Sequence, residues 1–378
     1  MKIIVLGGGF AGRGALPFLA SIPGHQVTLI DRNPFTTMLP SIPDVAGGRV
    51  NDRFVTADLL RIVPDNVRVV QDTIIQVDFD AKNLRSEKGT YTYDYLVLAG
   101  GSTTNFYNFQ ENLNLLYKMD CIQDAWKLRD DYRTRLAENS VNTVVVVGCG
   151  FTGLEVACNL LWAAKKAKRQ VRFVLVEKMA KVLPMLDEKT CAYVRAKMTK
   201  LGFEILTENE VSAFDGKKVT LKGGQSFENA MLVWTGGVKA ALKLSGKHTA
   251  IGDGRVIVDE TLRIPAYPEV FVAGDFAAFK SGEIYLRRTV NYASMMGEKA
   301  GNNLAALLLG GKLKPFRPFD PGWVIPLYIT SVGEAFGIPV RGRFGIAMHY
   351  LITGFKNFSV RNLFAFIGYA IRFFFAKA

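Results

Sequence analysis

The chain has little cysteine and too little acid. Its 378 residues include only Cys121, Cys149, Cys158 and Cys191. None of these has the spacing of a zinc ligand set or a thioredoxin-like motif, so neither centre is expected, and a reducing compartment leaves all four as thiols. Against 47 Lys and Arg stand 34 Asp and Glu, a net charge of +13. From Ala335 to the last residue there is no acidic residue at all. Such a surface attracts something anionic, whether nucleic acid, an acidic partner or lipid headgroups. No nucleic-acid motif is present, which removes the first. The N-terminal apolar run is too brief for a signal peptide, because glycines follow at once, so the chain is expected to stay in the cytoplasm. A hydrophobic fraction of 49% and a charged fraction of 21% describe a globular protein, long enough for two to three domains.

What the sequence does contain is glycine at the ends of strands. Lys2 to Leu6 reads as a buried strand, Gly7, Gly9 and Gly12 form a G-x-G-x-x-G turn, and a helix opens at Phe10. This is a seat for a dinucleotide pyrophosphate: the first glycine turns the chain, the second lets the backbone approach the phosphates, and the third lets helix and strand pack closely. The next strand, VTLID, ends in Asp31, where a carboxylate accepts the hydroxyls of an adenosine ribose.

The same device recurs. Thr143 to Val147 reads as a strand, followed by Gly148, Gly150 and Gly153, with Glu155 just inside the helix and VRFVLVE ending in Glu177. Two dinucleotides on one polypeptide usually means one held and one exchanged, and FAD with a nicotinamide cofactor is the pairing that makes chemical sense. Glu177 would bond a free ribose 2′-hydroxyl and repel a 2′-phosphate, which favours NADH over NADPH, although neighbouring Lys178 could partly accommodate that phosphate.

Between these units NPFTTMLPSIPDVAGG reads as a loop with a short helix. Strands are expected at Val67–Val70, Thr73–Asp78 and Tyr93–Ala99, the last closing on Gly100 and Gly101. Cys121–Glu138 and Asp187–Leu201 read as helices, Lys217–Leu221 and Met231–Trp234 as strands, the latter running into Gly236 and Gly237. Val270–Ala273 reads as a buried strand ending in Gly274-Asp275, which places a carboxylate at the mouth of a sheet for the ribityl chain of FAD; a turn-capping role is the plainer alternative. A helix over Thr289–Leu309 follows.

The last segment changes character. Arg341, Arg343, Lys356, Arg361, Arg372 and Lys377 are spread among aromatic residues. In helical register Leu363, Ile367, Ala370 and Phe374 share a face with Phe364 and Ile371, and Asn362, Ala365, Tyr369 and Arg372 fall on the other. The uncharged part between Arg361 and Arg372 is far shorter than the ~20 residues of a spanning helix. It is expected to lie on an anionic membrane surface, peripheral and monotopic, on the cytoplasmic face. A homodimer contact, or packing on the core, is the other use for such a stripe. The expected architecture is α/β: two Rossmann-like dinucleotide-binding domains, an FAD domain discontinuous over 1–110 and 246–325 and an NADH domain over 111–245, then a short C-terminal membrane-associating helical segment over 326–378.

With LVLAGGSTTNF, VVVVGCGFTGLEVA, VLVEKMAKVLPMLDE and LVWTGGVKA, nearly the whole chain resembles the type II NADH dehydrogenases, single-subunit NADH:quinone oxidoreductases of the two-dinucleotide-binding-domain flavoproteins. The resemblance implies FAD on Gly7, Gly9, Gly12, Asp31 and Asp275, and NADH on Gly148, Gly150, Gly153, Glu177 and Gly237; at Gly100, from the strand-end glycines themselves, the chain must pass close to a cofactor. It implies that Glu155 serves proton and quinone handling, its alternative being a solvated first-turn carboxylate on the helix dipole. It implies transfer of a hydride from NADH to flavin, then of two electrons to a membrane quinone, with no proton pumping and no metal. Where many members carry a glutamine pattern like AQxAxxQ, this chain reads Val290 to Met296; Asn291 can donate to a quinone carbonyl and Met296 cannot. A sulfide:quinone oxidoreductase, the nearest rival, needs paired redox cysteines at the flavin, one near the C-terminal part, and no cysteine follows Cys191. Another NAD(P)H-dependent flavoprotein reductase and an NADH-sensing membrane protein without turnover are the remaining alternatives.

Overall fold

The computed structural model describes residues 1–376; Lys377, counted above with the basic residues, lies outside them. The chain packs into two compact units. The first takes Met1–Thr37, Thr56–Thr103 and Lys239–Asp320, the second Met38–Val55, Thr104–Val238 and the chain from Pro321 onward.

In the first unit Lys2–Leu6 runs parallel between Gln26–Asp31 and Tyr95–Leu98. Val67–Gln71 extends the sheet on one side and Tyr267–Val272 on the other, all parallel, with the short Arg263–Ile264 antiparallel at the edge. Ile3, Val5, Leu29, Leu96, Val97 and Phe271 are wholly buried, which is why these strands are continuous apolar runs rather than alternating ones. The helices Phe10–Ala20 and Val290–Leu308 pack on one another unusually closely. A Cβ at Gly297 would lie 1.9 Å from the Ala11 carbonyl oxygen, and one at Gly301 would lie 2.5 Å from that of Ala15.

The second unit repeats the pattern with four parallel strands, in the order Phe203–Leu206, Arg172–Val176, Thr143–Val147, Ala230–Trp234. The helix Phe151–Lys166 leaves the glycine turn after Thr143–Val147, and its Asn159 crowds Gly47, where a Cβ would meet the Asn159 carbonyl oxygen at 2.5 Å. That close approach seats the short helix Ile42–Ala46 beside it.

The C-terminal part is more than the helical stripe expected. Gly322–Leu327, Thr330–Ala335 and Ile338–Arg341 form an antiparallel sheet, and the helices Gly342–Phe355 and Val360–Phe374 follow. The faces of the last helix also differ from the expected ones. Asn362, placed on the polar side, is buried, and so is Ala370, placed on the outward apolar side; Phe366 and Phe373 complete the inward face. Val360, Phe364, Ile371 and Phe375 point outward. The helix is apolar on two sides, so a two-faced reading of its sequence divides it in the wrong place. Among the described residues no helix is long and apolar enough to cross a membrane.

Candidate active site

Each unit builds one glycine turn in the same way. In the first, Asp31 at the end of its strand accepts the N–H of Gly8 at 2.6 Å and that of Asn33 at 2.7 Å. In the second, Glu177 accepts the N–H of Cys149 at 2.7 Å and that of Met179 at 2.9 Å. Both carboxylates thus tie down the middle residue of G-x-G and the residue two places beyond themselves. Burial lifts the pKa of Asp31, and the N–H groups of Asn33 and Gly8 oppose it. Lys178 points to Glu210, 3.0 Å away, in an exposed ion pair.

The third glycine of each turn is there for want of space. A Cβ at Gly12 would lie 1.8 Å from the Gly7 carbonyl oxygen, and one at Gly153 would lie 1.9 Å from that of Gly148. At Gly9 and Gly150 the reason is different, because nothing lies within 4 Å of either Cβ position. These glycines face open space at the start of helices that no side chain caps and that carry no acid in their first turn. The first N–H groups of such a helix, with the positive end of its dipole, suit an anion. By contrast, Asp187, Thr289 and Ser359 cap their own helices.

The other sequence-identified residues divide between the units. Gly100 lies against Leu242, and Asp275 accepts the Ser102 hydroxyl at 2.8 Å, its pKa raised by burial against that bond and the charges of Arg288 and Arg255. Arg288 donates to the Asp275 carbonyl at 3.1 Å and to the Asp253 carboxylate at 2.9 Å, which Arg255 also engages. Asp275, Arg255 and Arg288, with Thr289, Tyr292 and Met296, line a small cleft. Met296 is buried in the first unit's core, while Asn291 is half-buried. In the second unit Gly237 accepts the Asn105 N–H at 2.9 Å, and a Cβ there would lie 2.5 Å from the Tyr107 hydroxyl.

Glu155 is not a solvated first-turn carboxylate. It is 9% exposed, and burial first, then Asp44, raise its pKa to about 8, with His349 opposing. Around it stand groups that sequence reasoning passed over. Asp44, on the short Ile42–Ala46 helix, accepts the Tyr350 hydroxyl at 2.9 Å and faces His349 Nε2 at 3.8 Å. His349 Nδ1 lies 3.2 Å from the Val324 carbonyl oxygen. A carbonyl only accepts, so Nδ1 carries a proton and Nε2 is the atom that titrates. Burial alone would lower the pKa of His349, but Asp44 and then Glu155 outweigh it and the pKa is raised. Arg49, 2% exposed, donates to the Tyr328 carbonyl at 3.0 Å and lies over Phe373 and Trp162 at 4.2 and 5.1 Å. Two signals pointed this way in the sequence: His349 is one of only three histidines, and Asp44 is the lone acid of its proline-flanked stretch.

All four cysteines are free thiols, Cys121 half-buried and the others buried. Among the described residues no group of His, Cys, Asp and Glu is arranged to hold a metal.

The family model described as pyridine nucleotide-disulphide oxidoreductase matches residues 1–297. The type II NADH:quinone oxidoreductase of Staphylococcus aureus is 26% identical over 393 aligned residues, covering 96% of each chain. Among solved structures, NDH2 from Plasmodium falciparum in complex with NADH matches with a TM-score of 0.85 at 17% identity, over 98% of this chain and 97% of that one. The sulfide:quinone oxidoreductase of Aquifex aeolicus matches with a TM-score of 0.76 at 17% identity, over 98% and 92%.

Proposed function

The chain belongs to the pyridine nucleotide-disulphide oxidoreductase family, and from that membership we propose that it is a type II NADH:quinone oxidoreductase, non-electrogenic and bound to the cytoplasmic face of a membrane without crossing it. The observation that carries the dinucleotide half is the doubled turn, Gly8 on Asp31 and Cys149 on Glu177, each opening an uncapped helix onto free space. FAD, when bound, would supply the two-electron chemistry that links hydride transfer from NADH to reduction of the quinone. Gly7, Gly9, Gly12, Asp31, Gly100 and Asp275 hold the FAD, within 1–110 and 246–325. The N–H groups at the start of Phe10–Ala20 take its pyrophosphate. Gly148, Gly150, Gly153, Glu177 and Gly237 hold NADH, within 111–245. Glu177 excludes a 2′-phosphate, and Lys178, drawn to Glu210, gives that phosphate little help.

The quinone half is supported by the named relative and by the outer surface of the last helices. Phe344, Ile352, Phe355, Phe364, Ile371 and Phe375 are exposed there, with Arg343, Arg361 and Arg372 exposed among them. Each such Phe contributes ~1.5–3 kcal/mol when buried in lipid, and each basic residue near anionic lipid adds about 1 kcal/mol. Residues 326–378 are the membrane-facing part, Asn291 donates to a quinone carbonyl while Met296, buried in the core, does not, and Glu155 handles a proton. A sulfide:quinone oxidoreductase is disfavoured, because the cysteines all lie between Cys121 and Cys191.

Anaerobic stopped-flow tests the reading. NADH bleaches the flavin band and a menaquinone or ubiquinone analogue restores it at a rate matching turnover. Bleaching by NADH with no restoration by either quinone overturns the acceptor; no bleaching overturns the whole.

A further inference from the structure

Quinone reduction by NADH consumes one proton from solvent in each turnover: NADH, a proton and the quinone give NAD⁺ and the quinol. The hydride brings both electrons and one of the two hydrogens. Something in the chain must fetch the other.

We propose that His349, pinned between the Val324 carbonyl and the Asp44 carboxylate, is the group that carries this proton inward, with Glu155 as the carboxyl it recharges. The inference rests on the quinone reading above and adds two residues to it. The geometry fixes the atom at which the ring exchanges its proton. Nδ1 is committed to Val324 at 3.2 Å, so the ring gains and loses its proton only at Nε2, which faces Asp44 at 3.8 Å. Asp44 cannot swing away, since Tyr350 holds its other oxygen at 2.9 Å. The helix bearing His349, Gly342–Phe355, is itself two-sided. It buries His349 and Tyr350 on one face and presents Phe344, Ile352 and Phe355 outward on the other, so an apolar substrate arriving from lipid meets the helix that holds the imidazole.

The groups facing His349 come from every side of the second unit. Asp44 comes from the helix Ile42–Ala46 and Glu155 from Phe151–Lys166, while Arg49, Cys158 and Tyr328 act on the same cluster at longer range. The Ser331 hydroxyl of the neighbouring strand donates to the Gly342 carbonyl, and the ring of Tyr369 of the last helix lies tilted beside Tyr350 with ring centres 6.2 Å apart. Against the effect of burial, Asp44 and then Glu155 raise the pKa of the imidazole, and burial lifts that of the Glu155 carboxyl to about 8, so both groups are biased toward holding a proton.

Two readouts test this on the FAD-loaded protein in vesicles. The chain has only three histidines, His25, His248 and His349, so imidazole ¹⁵N spectra are assignable with H349Q. His349 is expected to titrate above the ordinary imidazole range, with Nδ1 protonated in its neutral form, and D44N is expected to move that midpoint down. In stopped-flow, quinone-driven reoxidation of the wild type falls as pH rises through the His349 midpoint. H349Q loses that dependence and is at least tenfold slower at neutral pH, while reduction by NADH stays within about twofold. D44N shifts the dependence to lower pH and serves if H349Q does not hold flavin. A His349 that titrates at or below the ordinary value, a midpoint D44N does not move, or a pH dependence that survives in H349Q overturns the relay while leaving the dehydrogenase intact. A wild-type flavin that quinone does not reoxidise removes the quinone reading and the relay together.

Discussion

Glu177, 8% exposed, accepts the backbone N–H of Cys149 at 2.7 Å, so the side chain proposed to bind the NADH ribose also closes the glycine turn. Replacing it with alanine strips the acceptor from that N–H and from Met179. E177A should lose about 1–2 kcal/mol of stability, the cost of leaving a buried donor unpaired, and weaken NADH at least tenfold. Chemical denaturation and NADH titration of the oxidised protein read the two effects separately.

The glycines of the turns should separate by mechanism. G9A and G150A add a methyl where the chain leaves room, so both should fold with melting temperatures near wild type. G9A should emerge colourless, without flavin, and G150A yellow but slow to be reduced by NADH. G12A drives a methyl to within 1.8 Å of a carbonyl oxygen and should fail to give soluble protein. An absorbance spectrum and a thermal melt of each variant decide it.

Glu155 should make stability fall as pH rises. Its carboxyl goes from an ordinary 4.5 to about 8 on folding, so between those values the native state keeps a proton that the unfolded chain has lost. The stabilisation is fully present below about pH 4.5 and is gone above about pH 8, with a slope of at most ~1.4 kcal/mol per pH unit. E155Q keeps the shape and cannot titrate. The stability difference between E155Q and wild type should therefore widen in favour of the glutamine across that window, as measured by denaturant midpoints at several pH values.

The outward aromatic residues should govern membrane binding and little else. Phe355 and Phe364 are 73% and 67% exposed, so F355E/F364E should cost little folding stability. Loss of two exposed aromatics that lipid would cover should reduce partitioning onto anionic vesicles by at least tenfold. NADH should still bleach the flavin at the wild-type rate in detergent-free solution. Co-sedimentation with anionic and neutral vesicles checks the first claim, and stopped-flow the second.

The strands around the turns were plain in the sequence because each is a short run of β-branched and aliphatic residues cut off by glycine. Lys2–Leu6 and Thr143–Val147 fall where the residues place them. Helix limits were also legible where a cap is local: Asp187 and Thr289 stand one residue outside Glu188–Lys200 and Val290–Leu308. Less legible was anything that depends on two distant segments meeting. Asp44 and His349 are 305 positions apart, and neither sits in a motif, so only packing brings them together. The last helix misled for a related reason. Periodicity reports which residues share a side, but with Phe366 and Phe373 inward and Phe364 and Phe375 outward, it does not say which side meets protein.

The two-sidedness of Gly342–Phe355 has a practical corollary for anyone wishing to handle this protein without lipid. Cutting the chain near Pro321 would remove the greasy surface, but it would also take away His349 and Tyr350 and uncover Asp44, Arg49 and Glu155. A version without that surface has to be made by repainting individual outward side chains, because the helix that presents them is also the wall of the room behind it.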